Sequence, residues 1–288
     1  MYIFSLLTTV ILQLICPDSP GLVSKLSGWI SKNDGNIRHA DHHTDEGAGL
    51  FLSRLEWDLE GFRLSKLSIQ EEIKDLESSL NGKAQLHFSD EKPRVAIFVS
   101  KQSHCLLDLL WRVNTGELKM DVPLIISNHL ELQKTCEEFG AEYKYIPVNQ
   151  NDKLISERII LERILNYQID LIVLAKYMQI LSKDFLSSFS NIINIHHSFL
   201  PAFKGAKPYH RAWKRGVKLI GATAHYVTEN LDDGPIIDQT IANVSHRDEV
   251  DDLIRKGRDT ERIALARALR FHLCRQVMVY EGRTAVFT

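Results

Sequence analysis

The sequence predicts an α/β protein in which a doubly wound sheet domain follows a small α+β domain. From residue 94 onward, short apolar runs alternate with amphipathic segments, the pattern of strands in a parallel sheet covered by helices on both faces. Before residue 89 the order is strand, helix, strand, strand, helix, which is typical of a small α+β sandwich. The stretch 89–93 is polar and contains a proline, so the predicted domains are 1–88 and 94–288 with 89–93 as linker.

The composition excludes several classes of protein. The chain has 288 residues, 44% hydrophobic and 25% charged, as in ordinary globular domains. Its 35 basic and 37 acidic residues form no long run of one sign, so no nucleic-acid partner is expected. The 4 cysteines are far apart and form no Cys-x-x-Cys pair, which argues against a zinc site or a disulfide framework. We expect reduced thiols and a cytoplasmic location.

Residues 1–16 form an apolar segment that has some features of a signal peptide. No basic residue precedes the apolar stretch and no small-residue cleavage site follows it. The segment is also too short to span a bilayer. Thr8, Thr9, Val10 and Ile11 are β-branched, so we expect a buried first strand and no membrane association.

Apolar spacing and turn residues predict the individual elements. In the first domain we expect a strand up to Cys16, a helix over 22–30, strands near Asn36 and over 49–57, a helix over 65–80 and a strand near Leu86 and Phe88. In the second we expect strands over 95–99, 122–126, 143–148 and 171–174, and helices over 105–111, 130–139 and 154–167.

The chemically most informative residues are Asn194, His196 and Asp232. Asn194 and His196 close an apolar run, and the two-residue period of a strand directs both side chains to one side. An amide can stabilise an oxyanion while an imidazole moves a proton, and the carboxylate of Asp232 could orient the imidazole or a water. Each has a structural alternative: a strand-end Asn bound to its own backbone, a buried structural His and a turn Asp. His197 is expected to face the opposite way.

A histidine cluster in the first domain invites a metal site. His39, His42 and His43 lie close to acidic residues in a polar stretch. Their spacing matches none of the usual zinc patterns, so we expect a solvated surface loop without metal.

Four segments of the second domain resemble the folate-dependent formyltransferases. They are Leu174-Ala175-Lys176-Tyr177-Met178-Gln179-Ile180-Leu181, Asn194-Ile195-His196, Leu200-Pro201-Ala202-Phe203-Lys204-Gly205, and His225 through Asp232-Asp233-Gly234-Pro235. The resemblance implies a Rossmann-like formyltransferase domain with Asn194, His196 and Asp232 as catalytic residues and no cofactor or metal. It also implies a pterin site at Met178, Gln179, Ile180, Leu181, Asn230 and Leu231, although Met178 and its neighbours could equally be ordinary core. The segment 201–209 is expected to be a mobile loop near the site, with Lys204 and Lys207 either meeting the folate glutamate tail or solvated.

Within that superfamily the chain is similar to the formyltetrahydrofolate deformylases. The first domain resembles the ACT domain, a ferredoxin-like α+β fold, with Asp18 and Gly21 in the loop after the first strand. The segments Ser100-Lys101-Gln102-Ser103-His104-Cys105 and Gly257-Arg258-Asp259-Thr260-Glu261 carry the narrower resemblance. It implies a homo-oligomer whose ACT-like domain binds glycine or methionine near Asp18 and Gly21, or one in which that domain only drives oligomerisation.

The loop after the first strand of the second domain indicates whether water or an amine is the nucleophile. Residues 100–104 contain no glycine, whereas glycinamide ribonucleotide transformylase is expected to have a glycine-rich turn there that brings backbone amides onto the acceptor phosphate. We therefore expect hydrolysis of 10-formyltetrahydrofolate to formate, in keeping with purine synthesis. A formyltransferase to an unidentified amine and a catalytically silent folate or amino-acid sensor are the alternatives.

Overall fold

The computed structural model describes residues 8–149, 152–201 and 208–288. The chain divides into two compact units, one built from the chain up to Lys92 with Arg275–Glu281 and Ala285–Thr288, the other from Pro93–Cys274 with Gly282–Thr284. The predictions made for residues 1–7 and for Lys204 and Lys207 lie outside the described residues.

The first unit is a four-stranded antiparallel sheet covered by two helices, as the apolar spacing predicts. Its elements are β1 (Thr9–Pro17), α1 (Leu22–Lys32), β2 (Ile37–Asp45), β3 (Leu50–Asp58), α2 (Lys66–Leu80) and β4 (Lys83–Phe88), with strand order β2-β3-β1-β4. Apolar side chains from β1, β3 and both helices form one core around Trp57 and Leu12. Ser65 caps α2 by accepting a hydrogen bond from the amide of Ser68, which fixes where that helix begins.

The prediction of a loop at the histidine cluster is wrong. His39, His42 and His43 lie on β2, which pairs with β3 along its length. β2 is an edge strand, and an edge strand with a solvated face accommodates polar residues that would indicate a loop elsewhere. All three histidines are exposed, and the His42 ring stacks on Phe51.

The second unit is a seven-stranded sheet with helices around it. Its elements are β5 (Arg94–Val99), α3 (His104–Asn114), β6 (Asp121–Ser127), α4 (Gln133–Glu137), β7 (Glu142–Tyr145), α5 (Lys153–Asn166), β8 (Leu171–Leu174), α6 (Lys183–Ser188), β9 (Ile192–His196), α7 (Pro208–Arg215), β10 (Leu219–Tyr226), β11 (Ile236–Asn243) and α8 (Val250–Leu273). The chain ends in a hairpin of β12 (Val277–Tyr280) and β13 (Arg283–Val286).

The sheet is mixed: the strands from which a parallel sheet was predicted are parallel, and one further strand, β10, runs opposite to the others. In the order β11-β10-β9-β8-β5-β6-β7, the strands from β9 to β7 are parallel, while β10 is antiparallel to both of its neighbours. The connection 227–235 between β10 and β11 is shorter than the crossover that parallel neighbours require, so these two strands are antiparallel. The segment after β6 also differs, because α4 spans Gln133–Glu137 and not the predicted 130–139.

Parallel strands bring the site together at one edge of this sheet. β5, β8 and β9 end side by side, and the amide of Ser100 after β5 donates to the carbonyl of Lys176 after β8 (3.1 Å). The carboxyl edge of such a sheet is where ligands bind. Within the described residues, no helix combines the length and the apolar composition that crossing a bilayer requires.

Candidate active site

A cavity of about 320 Å³ opens at the carboxyl ends of β8 and β9, and is called the first cavity below. Asn194 and His196 line it from β9, and Asp232 reaches it from the turn between β10 and β11. The structure thus brings together three residues that the sequence selects on separate grounds. Their distances and partners determine what each can do.

His196 is held by a carboxylate at one ring nitrogen and has no partner at the other. Its Nδ1 lies 3.1 Å from Oδ1 of Asp232, and its Nε2 is buried with no hydrogen-bond partner among the described residues. A carboxylate can only accept, so the hydrogen bond assigns a proton to Nδ1. Buried polar atoms are nearly always satisfied, which makes this Nε2 a candidate contact for a ligand.

Asp232 lies in a turn with little conformational freedom. Its φ is +54°, and a Cβ on Gly234 would lie 1.7 Å from the carbonyl oxygen of Tyr226, so only glycine fits two residues later. Burial opposes ionisation of Asp232, but the hydrogen bond from His196 and the nearby histidine charges outweigh it, so its pKa lies below the usual value. A carboxylate with a lowered pKa is a weak base, which favours the role of orienting His196 over that of taking a proton from water.

The side chain of Asn194 contacts His225, a residue for which no role was predicted from the sequence. Its Nδ2 lies 3.2 Å from Nε2 of His225, whose Nδ1 lies 2.8 Å from the Tyr226 carbonyl. Since a carbonyl only accepts, Nδ1 of His225 carries a proton, and its Nε2 is the atom that meets the amide of Asn194. His225 therefore fixes the Asn194 side chain and leaves its second amide hydrogen without an acceptor among the described residues. The structural alternative, an Asn bound to its own backbone, does not describe this contact.

His197 does not face away from the site, contrary to the prediction. It lines the first cavity, and its ring stacks on that of His196 with 4.7 Å between centroids. The strand ends at His196, so the alternation of faces no longer applies to the next residue.

The predicted pterin-binding residues form the rim of the first cavity. Met178, Ile180 and Leu231 are each more than half exposed (62%, 61% and 61%), so the reading of Met178 as ordinary core is wrong. Leu181 is buried in the core beneath. The polar residues Gln179 and Asn230 complete the lining. A rim of exposed apolar side chains with a few polar groups suits a flat, partly polar ring system.

A buried network lies beside the site, and its residues were predicted to carry the family resemblance but were given no role of their own. Both oxygens of Glu261 are occupied: Oε2 lies 2.6 Å from Nε2 of His104, while Oε1 lies 3.2 Å from Nζ of Lys176 and accepts from the Tyr209 hydroxyl (2.9 Å). Glu261 is 1% exposed and Lys176 is 6% exposed. Burial opposes ionisation of Glu261, yet its hydrogen bond from His104 and the Lys176 charge prevail and lower its pKa to about 2. No periodicity links residues so far apart in the chain.

His104, Cys105 and Glu261 place possible metal ligands within 4.8 Å of one another, but the donor set does not fit a metal ion. The Lys176 ammonium already contacts the same carboxylate and would repel a dication. Burial raises the pKa of the Cys105 thiol, so the thiolate that a metal requires is disfavoured.

Similarity to known proteins extends over nearly the whole chain. The ACT domain profile matches residues 10–78 and the formyl transferase profile matches residues 93–269. A formyltetrahydrofolate deformylase of Synechocystis is 56% identical over 97% of this chain and 98% of its own length. That of Bacillus subtilis is 46% identical over 94% of this chain and 91% of its own.

Two solved structures place the fold. The crystal structure of a formyltetrahydrofolate deformylase from Pseudomonas syringae superposes with a TM-score of 0.96 at 41% identity, covering 99% of this chain and 96% of that one. Glycinamide ribonucleotide transformylase 1 from Symbiobacterium toebii superposes with a TM-score of 0.65 at 27% identity, covering 71% of this chain and 98% of that one. The second similarity thus leaves more than a quarter of this chain without a counterpart.

Proposed function

The chain belongs to the formyltetrahydrofolate deformylases, and we propose that it hydrolyses 10-formyltetrahydrofolate to formate and tetrahydrofolate, in keeping with formate supply for purine synthesis. The observation that carries this proposal is the pairing of His196 with Asp232, which leaves Nε2 of His196 without a partner among the described residues, in a residue that lines the same cavity as Asn194. An acid/base group and an oxyanion donor in one cavity are the two elements that acyl transfer requires.

In the proposed mechanism each of the three residues has a distinct role. Water attacks the formyl carbon, and Nε2 of His196 takes a proton from it. The free amide hydrogen of Asn194 stabilises the oxyanion of the tetrahedral intermediate, as such donors typically do by about 3 kcal/mol. When the C–N bond breaks, His196 returns the proton to the departing N10 of the folate. Asp232 keeps the ring oriented and stabilises its cationic form, and no cofactor or metal is required.

The loop 100–104 supports water over a phosphorylated amine as the acceptor of the formyl group. Ser100 donates to Oδ1 of Asn128 (2.7 Å) and accepts from the amide of Met178 (3.0 Å), so its hydroxyl ties the loop to the rim of the first cavity. Lys101 lies 3.6 Å from Glu131, which offsets the charge that a phosphate would use. Without glycine in this loop, backbone amides approach a phosphate less readily.

We expect the purified protein to release formate and tetrahydrofolate in equal amounts from 10-formyltetrahydrofolate with no acceptor added. Both products are measured, and Asn194→Ala protein prepared in parallel controls for contaminating enzymes. The loss of one oxyanion donor should lower kcat of that variant by roughly 10²–10³-fold. A strict transferase would release no formate, and a silent sensor would bind the folate without turnover.

The ACT domain supports a small-molecule effector, and we place its site at the loop between β1 and α1. Asp18 and Gly21 lie in this loop, where Gly21 precedes α1 with a φ of +89° that favours glycine. The amide of Asp18 donates to the carbonyl of Gly49 (2.9 Å), which connects the loop to the start of β3. The proposal includes pairing of ACT domains in a homo-oligomer, with glycine or methionine bound between copies.

Titration with individual amino acids tests the effector proposal. We expect glycine or methionine to change both the rate of formate release and the thermal unfolding temperature, because a ligand of the folded state stabilises it. Asp18→Ala should remove the response and leave the basal rate unchanged. If no amino acid shifts either quantity, the domain has a structural role alone.

The proposed location is the cytoplasm. All four cysteines, Cys16, Cys105, Cys136 and Cys274, are in the thiol form. Reduced thiols are the rule in the cytosol and the exception in oxidising compartments.

A further inference from the structure

A second cavity of about 580 Å³ adjoins the first cavity. Its lining includes Lys101, His129, Tyr209, Arg258 and Glu261, none of which lines the first cavity. Three residues of the described chain line both, namely Lys176, Met178 and His197. These side chains form the boundary between a cavity that holds the proposed catalytic groups and one with room for a further small molecule.

Lys176 is the fixed member of that boundary. Met178 is 62% exposed and His197 is half-buried, whereas Lys176 is only 6% exposed. The Lys176 side chain extends to Glu261, whose oxygens are also held by His104 and Tyr209. A lysine tied to a fully satisfied buried carboxylate cannot move aside without leaving that charge unpaired, a costly change.

The Lys176 backbone gives an independent indication. Its φ is +65°, a conformation that costs a non-glycine residue on the order of 1 kcal/mol or more. Glycine would adopt it without strain, and it would remove the side chain that lines both cavities. Strained residues of this kind persist where the surrounding contacts over-determine them, and they concentrate at functional sites.

We propose that Lys176, held by Glu261, is the specificity-determining residue that closes the first cavity toward the second and so restricts the nucleophile to water. This inference rests on the proposed hydrolysis. In this proposal, an amine that approached the formyl carbon from the second cavity would meet the Lys176 side chain, the buried member of the three residues that line both cavities. Water is small enough to reach the carbon with the boundary in place.

The chemistry of the excluded reaction is a formyl transfer. The amine nitrogen would attack the formyl carbon, the bond from that carbon to N10 would break, and N10 would take the proton that the amine loses. The products would be a formamide and tetrahydrofolate, with no formate released. The ratio of formamide to formate therefore measures how far the boundary excludes amines, separately from the total rate.

The test compares wild type with Lys176→Gly in the presence of 10-formyltetrahydrofolate and glycinamide near pH ~8, where α-amino groups are partly unprotonated. Formate, N-formylglycinamide and tetrahydrofolate are measured. We expect wild type to give formate alone and Lys176→Gly to raise the formamide-to-formate ratio by at least roughly tenfold. Lys176→Met still fills the passage, so its ratio should stay near that of wild type.

Two outcomes of this experiment would contradict the role of Lys176. An unchanged ratio in Lys176→Gly, or an equal rise in Lys176→Met, would overturn it. If Lys176→Gly fails to fold, the double variant Lys176→Gly/Glu261→Gln removes both charges of the buried pair and is read by the same ratio. Failure of the proposed function is distinguishable, because wild type would then release no formate from 10-formyltetrahydrofolate when glycinamide is left out.

Discussion

Replacing His196 with alanine lowers kcat for formate release by roughly 10²–10⁴-fold, the usual contribution of a general acid/base. The reason is that His196 lines the first cavity and its buried Nε2 has no hydrogen-bond partner among the described residues. His196 contacts Asp232 at the opposite side of the ring, so the truncation removes the proton carrier and leaves the strand β9 in place. Steady-state kinetics and single-turnover formate release measure the effect.

The Asp232→Asn variant tests whether Asp232 and His196 act as a unit. Asparagine keeps the size of the side chain but loses the charge that stabilises cationic His196, so a large loss of kcat is expected. The double variant His196→Ala/Asp232→Asn should have a kcat only slightly below that of His196→Ala alone, because the effects of substituting residues that act together are not additive. Asp233→Asn is the matched control, since Asp233 is the exposed neighbour in the same turn. Equal losses for Asp232→Asn and Asp233→Asn would contradict the assignment.

Glu261→Ala should lower the free energy of unfolding of the second unit by about 3–5 kcal/mol, the usual effect of breaking a buried ion pair. The substitution leaves Lys176 buried without its carboxylate and removes the acceptor of His104 and Tyr209. For a domain of this size that corresponds to a fall in Tm on the order of 10 °C. Asp259→Ala is the control, since the Asp259 side chain lies on the same helix, is half-exposed and is paired only at the surface, with Arg262. A Tm as high as that of the control would refute a stabilising network.

The pH dependence of stability gives a second measurement on Glu261. Its pKa is lowered from 4.5 to about 2 in the folded state, so its ionised form stabilises the fold fully above pH 4.5. This contribution is lost as the pH falls from 4.5 toward 2, and a shift of that size corresponds to on the order of 3 kcal/mol. Denaturant unfolding should therefore show the gap between wild type and Glu261→Gln narrowing below pH 4.5. A gap that is constant with pH would contradict the assigned charge state.

Predictions from the sequence succeeded where a local pattern carries the information. The β-branched run of β1 and the helical apolar spacing of α2 depend on neighbouring residues, and the end of β1 and both ends of α2 were predicted to within one residue. Asn194 and His196 were placed on one side of a strand end for the same reason, and β9 ends at His196. The predictions failed where tertiary pairing decides, as for β2, whose polar histidines form a strand only because β3 lies beside them.

The sequence by itself determined the two-domain order, the elements with clear apolar periods and the residues Asn194, His196 and Asp232 as a chemical set. Only the tertiary structure decided which atoms of that set meet, because the partners of His196 and Asn194 come from β10 and the turn after it. The network of Lys176 and Glu261 likewise could not be predicted from the sequence. Its members lie on separate elements. Residues distant in the sequence bury the charge of Glu261, and such burial depends on tertiary packing, which no local sequence pattern indicates.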